Sequence, residues 1–175
     1  LVVAHKEFYL DMNTQKAEYR IVIDHIKHWE PSAGSPISIK EVDEYVVKLK
    51  KRFRIVLLTY DQWNSQESVA KLKKASIPNK LTRFNMAYKM LIYREVENLI
   101  NMGRIQIPHY DLLRSEMLHL QRKFTPNGFK VFPKPDGDGA KTDDIIDCVA
   151  GVCYTAIQQA VNQLPRAKVI DTGGQ

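Results

Sequence analysis

Apolar and polar positions in the first part of the chain alternate between the period of a strand and the period of a helix. Residues 1–10 and 18–29 are rich in β-branched and aromatic residues, and the turn-forming segment DMNTQ lies between them. This pattern predicts two strands joined as a hairpin. Residues 38–53 carry apolar residues at helical spacing and begin with a capping box, Ser38 and Glu41, so they predict a helix.

The next run, FRIVLLTY at residues 53–60, is almost wholly apolar and has the length of a strand. Such a run is typical of a central strand that is covered on both faces. A second helix is predicted over residues 65–75, and Pro78 closes that segment.

The second half of the chain is richer in helical periodicity. Its predicted elements are, in order, a strand over residues 79–85, a helix over 86–102, a strand over 104–108, a helix over 110–124, a strand over 128–132, a loop over 133–142 and a helix over 143–161. The last helix is apolar almost all around, which predicts burial against the sheet. The alternation predicts one α/β domain over residues 1–162, and residues 163–175 carry no pattern and predict a loose tail.

The charge balance favours a polyanionic partner. The chain has 26 Lys and Arg residues against 20 Asp and Glu residues, which gives a net charge of +6. The basic residues concentrate in KLKKRFR at 48–54 and KLKK at 71–74. Such clusters also occur at solvated helix ends, because cations suit the carboxyl end of the helix dipole. For the whole chain, a nucleic-acid partner is the better expectation.

Several kinds of site are not expected from the sequence. No apolar run approaches the roughly 18 residues that span a bilayer, and no secretion signal precedes the first strand. Cys148 and Cys153 lie five residues apart in one apolar stretch, which suits small core residues of a reduced compartment better than a disulfide or a zinc site. The segment GDGAKT lacks the spacing of a nucleotide-binding phosphate loop.

Acidic residues gather at two places that suit metal chemistry. Asp61 follows the apolar run at residues 53–60. Acids at the carboxyl ends of strands are well placed to hold metal ions, but Asp is also a common turn residue without any metal. Asp143, Asp144 and Asp147 fall within about a quarter of the circumference of the last helix. Capping and the helix dipole explain the first two without chemistry. Asp147 lies a turn further in, and Mg²⁺ or Mn²⁺ would relieve the repulsion among the three.

Three segments together resemble the nuclease domain of the large terminase subunit of tailed bacteriophages. They are VLLTYDQWNSQESVAKLKK at 56–74, YREVENLINMGRIQIPHYDLLRSEMLHLQ at 93–121 and KTDDIIDCVAGV at 141–152. In that family one strand ends in an acid, and a turn that contains Trp, Asn and Ser follows it. A helix then leads to a short strand, and the acid-rich start of a later helix completes the site. The resemblance covers about residues 1 to 160 and implies a ribonuclease H-like α/β fold, with a mixed central sheet flanked by helices.

The resemblance implies a metal-dependent endonuclease that cuts double-stranded viral DNA during genome packaging with little sequence preference. Two Mg²⁺ or Mn²⁺ ions would hold the scissile phosphate. Asp61 resembles the family's second catalytic acid and would bridge both ions, while Asp144 would bind one ion from the helix. Asp147 matches a further acid of related resolvases, and Asp143 is a weaker metal ligand. The residues expected to contact DNA lie near these acids in the sequence, and they are Asn64, Lys130, Lys134 and Lys141. Single lysines of this kind are also common as residues that only keep a protein soluble.

One departure from the family concerns the first catalytic acid. The family carries this acid on a strand that precedes the segment matching residues 1–10, so we expect the chain to lack that strand. Asp24 is an alternative first acid, although the order of the motifs argues against it. In the intact subunit the partners would be an ATPase domain, the portal and the small terminase subunit, in the cytoplasm of the infected host cell. Two other functions stay open: a resolvase or transposase-like nuclease of the same fold, and a non-catalytic module that binds DNA or docks on the portal.

Overall fold

The computed structural model describes residues 1–32, 34–61, 66–133 and 142–159. Over these residues the chain forms five helices, which are α1 (Ile39–Leu49), α2 (Gln66–Lys74), α3 (Met86–Asn101), α4 (Asp111–His119) and α5 (Asp144–Gln158). The strands of the same residues are β1 (Val2–Asp11), β2 (Lys16–Ile26), β3 (Leu58–Asp61), β4 (Asn79–Thr82), β5 (Ile105–Gln106), β6 (Leu120–Thr125) and β7 (Gly128–Pro133). The mixed α/β class that the sequence predicts is therefore confirmed.

The described strands form three small sheets. In the first, β1 and β2 pair as an antiparallel hairpin and β5 lies parallel to β2. In the second sheet, β3 and β4 are parallel. In the third sheet, β6 and β7 form an antiparallel hairpin. The described strands are thus divided among three sheets, and a groove of about 330 Å³ lies between residues 1–5 and residues 52–58.

Helix α5 lies in the larger of two hydrophobic cores. It contacts α3, α4 and β1, and Val149, Ala150 and Cys153 are completely buried. The predicted burial of this helix is confirmed. A smaller core of Val46, Leu72 and Ile77 joins α1 and α2 to the segment that leads into β4.

Local sequence signals place most elements correctly. The side chain of Ser38 accepts a hydrogen bond from the backbone N–H of Glu41 at 3.3 Å, as the capping box predicts. Gly103, with a φ of +65°, follows the end of α3 in the left-handed region that favours glycine. Cys148 and Cys153 are both free thiols. Among the described helices none is long and apolar enough to cross a membrane.

The strands predicted over residues 79–85 and 104–108 are shorter in the structure, and two other predicted elements differ more. The helix predicted over residues 110–124 ends at His119, and residues 120–125 form β6 instead. Pairing with β7 supplies backbone hydrogen bonds over six residues, and this tertiary pairing overrides the helical pattern. The strand predicted over residues 53–60 is formed only from Leu58, because β3 pairs only with the short β4. The predicted tail, residues 163–175, lies outside the described residues.

Candidate functional site

The acid-rich start of α5 is held in place by a carboxylate from α4. The side chain of Glu116 is 1% exposed, and one of its oxygens, Oε2, accepts hydrogen bonds from the backbone N–H groups of Ile145 and Ile146 at 2.9 and 2.8 Å. Its other oxygen accepts a hydrogen bond from the hydroxyl of Thr142 at 3.0 Å. The first N–H groups of a helix have no partner within the helix, so a buried acceptor at this point fixes where the helix begins.

The environment of Glu116 favours its neutral form. Burial raises the pKa of this carboxyl above its ordinary value, and the hydrogen bonds from Ile146, Thr142 and Ile145 oppose that rise. The nearby carboxylate of Asp144 raises the pKa further. Glu116 is thus a buried acid whose protonation is coupled to the helix start that it caps.

Two of the three acids of this helix start share one lysine from α3. The ammonium of Lys89 lies 3.0 Å from Oδ2 of Asp143 and 2.6 Å from Oδ2 of Asp147. The hydroxyl of Tyr93 donates a hydrogen bond to Oδ1 of Asp147 at 2.7 Å. The three charged side chains are 14% to 26% exposed, so this network is mostly shielded from solvent.

The charges of this network act on one another. Burial lowers the pKa of the Lys89 ammonium, but its contacts with Asp147 and Asp143 outweigh burial and leave the pKa above its ordinary value. Burial raises the pKa of Asp147, against the hydrogen bonds from Lys89 and Tyr93. The raised pKa of Lys89 favours the charged ion pair, whereas the raised pKa of Asp147 opposes it. We take the pair as charged, because Asp147 accepts from two donors within 2.7 Å, an arrangement that suits a carboxylate.

Asp144 and Asp61 are placed differently from these two acids. Asp144 is the first residue of α5 and is exposed to solvent. Asp61 is the last residue of β3 and is also exposed. Neither carboxylate forms a hydrogen bond or ion pair with another described residue. Both therefore present oxygen atoms that an external ligand can reach.

The strand that carries Asp61 is fixed by a second buried acid. Asp43 on α1 is 4% exposed and accepts hydrogen bonds from the hydroxyls of Tyr60 on β3, at 3.3 Å, and of Ser68 on α2, at 3.1 Å. Lys71 lies 3.9 Å from the same carboxylate. Burial and the adjacent Asp43 raise the pKa of Tyr60, so its hydroxyl remains a donor. These contacts anchor the residue directly before Asp61.

Part of the charge repulsion among the acids of α5 is balanced within the chain itself. The ammonium of Lys89 already lies between Asp143 and Asp147, and it supplies the positive charge that those two carboxylates need. In the part of the chain that the structure describes, no three His, Cys, Asp or Glu side chains form a group that could hold a metal ion. The donor chemistry of Asp61 and Asp144 still fits a hard divalent cation, because both are accessible carboxylates that have no partner among the described residues.

Two of the remaining predicted site residues, Asp24 and Lys130, are among the described residues, and neither forms an ion pair with the acids of α5. Asp24 on β2 is paired with Nδ1 of His5 at 2.8 Å and lines the groove beside β1. Lys130 is exposed on β7, opposite Lys123 of β6. The other predicted DNA contacts lie outside the described residues, and they are Asn64, Lys134 and Lys141.

Four residues of these networks are absent from the sequence-based prediction. Lys89 and Tyr93 are four residues apart on α3, which matches the spacing of the two acids that they contact. Glu116 stands one turn from the buried Leu113, where a polar residue in an apolar stripe is a usable signal. Asp43 likewise lies on the buried face of α1. None of these signals names the partner, because each partner comes from a different element.

Comparison with known proteins adds evidence on the fold. No protein-family profile and no curated protein sequence matches the chain. The structure is similar to the large terminase nuclease from thermophilic phage G20c with bound cobalt, with a TM-score of 0.57, 13% sequence identity, and coverage of 88% of this chain and 81% of that one. A second structure of that nuclease, with bound magnesium, gives a TM-score of 0.55 at the same identity and coverage.

The Thermus phage P74-26 large terminase nuclease domain is similar at a TM-score of 0.55 and 12% identity, over 85% of this chain and 77% of that one. These identities are too low to carry function across, but the alignments span most of the chain. The resemblance that the sequence predicts is confirmed at the level of the fold. The chain has the ribonuclease H-like fold of phage large terminase nuclease domains.

Proposed function

We propose that this chain is the nuclease part of a phage genome-packaging enzyme, which hydrolyses phosphodiester bonds of double-stranded DNA with little sequence preference. The observations that carry the proposal are two exposed acids, Asp61 at the carboxyl end of β3 and Asp144 at the start of α5, and the fold shared with terminase nucleases. The partners would be those of an intact terminase subunit, namely an ATPase domain, the portal and the small subunit, in the infected cell.

Divalent cations are the proposed cofactors. The similar nuclease of phage G20c has been solved with cobalt and with magnesium, and Asp61 and Asp144 offer the hard oxygen donors that such ions prefer. Bound there, Mg²⁺ or Mn²⁺ would supply activation of the attacking water and charge stabilisation of the leaving oxygen. The chain's own contribution is to hold these two carboxylates on a capped helix and an anchored strand.

The other two acids of α5 have a different proposed role. Lys89 contacts Oδ2 of both acids and Tyr93 contacts Oδ1 of Asp147, so a metal ion at either acid would compete with the Lys89 ammonium. We therefore assign the first metal contact to Asp144 and treat Asp143 and Asp147 as reserve ligands that Lys89 keeps occupied. Two ions need more carboxylates than Asp61 and Asp144 provide, so turnover by this chain should be slow.

Nicking of supercoiled plasmid in Mg²⁺ and in Mn²⁺ tests the proposal. Asp144→Asn and Asp61→Asn should each remove cleavage while the circular dichroism spectrum stays unchanged. Asp111→Asn is the matched control, because Asp111 is also the exposed first residue of a helix and should keep full activity. Nicking that survives both active-site substitutions would contradict the proposal. Loss of nicking in Asp24→Asn would identify Asp24 as the missing acid.

A non-catalytic DNA-binding module is the second candidate, and one observation favours it. The described residues hold no group of three metal-ligating side chains. This candidate predicts DNA binding without metal-dependent nicking at any concentration of Mg²⁺ or Mn²⁺.

A further inference from the structure

A second charged region lies at the opposite end of the β3–β4 sheet from Asp61. A groove of about 640 Å³ is lined by residues 50–56, which lead into β3, and by residues 76–78, which lead into β4. The two strands are parallel, so both lining segments lie at their amino ends. Asp61 is the last residue of β3, and the four-residue strand separates it from this groove by about 10 Å or more. This region is called the basic groove.

The basic groove carries positive charge without a compensating acid. Four of its ten lining residues are cations, Lys50, Lys51, Arg52 and Arg54, and none of the ten is acidic. The ammonium of Lys50 donates to the backbone carbonyl of Ala75 at 2.7 Å. The guanidinium of Arg52 lies 5.4 Å from the centre of the Phe53 ring. Among the described residues, none of the four cations forms an ion pair.

Helix-end electrostatics explains only part of this charge. Lys50 is the C-cap residue of α1, where a cation suits the helix dipole. Lys51, Arg52 and Arg54 lie beyond the helix, and the influence of the dipole falls off within its last turn. Elsewhere in the molecule an arginine is paired with an acid, since Arg104 forms an ion pair with Glu18. The charge of the basic groove is therefore available to an external anion.

Apolar residues line the basic groove beside the cations. Phe53 and Ile55 are half-buried, Ile77 is 2% exposed, and Val56 is 46% exposed. Cations beside an apolar surface suit a nucleic acid, since phosphates meet the charges while sugar rings lie against the apolar atoms. A free inorganic ion would make no use of the apolar part.

We propose that the basic groove binds the phosphate backbone of double-stranded DNA, as a holding site separate from the cutting site at Asp61 and Asp144. This inference rests on the proposed function for the choice of DNA as the polyanion. It places contacts to the same duplex at both ends of the β3–β4 sheet. Lys51 and Arg54 are the cations that should contact phosphates, because both are exposed and neither contacts another described residue through its charge.

The experiment measures binding of a short fluorescent DNA duplex by anisotropy in EDTA, at several salt concentrations. A double variant carries Lys51→Gln and Arg54→Gln, and a matched control carries Lys16→Gln and Arg114→Gln, exposed cations on other elements. The groove variant should bind at least about tenfold more weakly. The slope of log affinity against log salt should shrink by about 1.8, because two phosphate contacts are lost. The control should bind like the wild type.

Three results would overturn the inference. The first is a groove variant that binds DNA like the wild type, and the second is an equal loss in the control, which would indicate general attraction by net charge. The third is displacement of the duplex by polyglutamate as readily as by unlabelled DNA, which would indicate an acidic protein partner. A charge-preserving variant, Lys51→Arg with Arg54→Lys, should bind the DNA duplex about as tightly as the wild type. Because EDTA prevents cleavage, a chain that binds through the groove but never nicks plasmid would contradict only the proposed nuclease function.

Discussion

The start of α5 and the basic groove are both dense in charge, but they differ in how that charge is balanced. At the start of α5, Lys89 lies between two carboxylates, and Glu116 accepts from two backbone N–H groups. In the basic groove, no described acid pairs with any of the four cations. Internal pairing stabilises a fold and removes a charge from external use, so unpaired groups identify where a ligand can bind. By this criterion Asp144 is available and Asp147 is not.

The largest effect should follow removal of the cation from the α5 network. Lys89→Met leaves Asp143 and Asp147 largely buried without a positive partner, and we expect the free energy of unfolding to fall by about 3 kcal/mol. Urea denaturation measures this change. Lys123→Met, at an exposed lysine of β6, is the control and should change little.

The same variant also tests whether the acids can hold a metal ion. Millimolar Mg²⁺ should restore part of the stability lost in Lys89→Met, because a divalent cation can take the position of the missing ammonium. The wild type should gain less. Equal gains in both proteins would mean that Lys89 does not keep Asp143 and Asp147 from metal.

A smaller loss should follow removal of the acceptor that caps α5. Glu116→Ala leaves the N–H groups of Ile145 and Ile146 buried without an acceptor, and we expect the free energy of unfolding to fall by about 2 kcal/mol. Glu44→Ala, at an exposed glutamate of α1, provides the urea-denaturation control. If the two variants lost the same stability, the capping role of Glu116 would be wrong.

The pH dependence of stability gives a finer test of the same residue. Burial raises the pKa of native Glu116 above its ordinary value of 4.5, so the native state binds the proton more tightly than the unfolded chain. The stabilising contribution of this proton is complete below pH 4.5 and is lost as the pH rises through the native pKa. The stability of the wild type relative to Glu116→Gln should therefore fall over that interval. Urea titrations across the interval measure the difference, and a constant or rising difference would contradict the assignment.

The smallest effect is expected in the basic groove. Replacing Lys51 and Arg54 by Gln removes like charges that have no acidic partner among the described residues, so the free energy of unfolding should stay constant or rise by up to about 0.5 kcal/mol. Thermal and urea unfolding of the double variant measure this. A clear loss of stability would mean that these cations are paired inside the molecule, and the contrast between the two regions would disappear.

Local signals in the sequence predict much of the fold. The Ser38 capping box, the glycine after α3 and the apolar pattern of α5 each depend on residues that are close in sequence, and the structure agrees with all three. The prediction of secondary structure is wrong where a partner strand far away in the sequence determines the conformation. Residues 120–125 pair with β7, and the apolar run before Leu58 pairs with no strand among the described residues.

The candidate site divides in the same way. The sequence by itself determined that Asp61 ends a strand and that Asp143, Asp144 and Asp147 share one side of a helix start, because strand ends and helical spacing are local properties. Only the tertiary structure decided which of these acids face solvent. Helix α3 brings Lys89 and Tyr93 against Asp147, while Asp144 is bonded to neither of them and is exposed to solvent. Contacts between elements far apart in sequence set burial and charge pairing, and these two quantities decide which carboxylates a metal ion can reach.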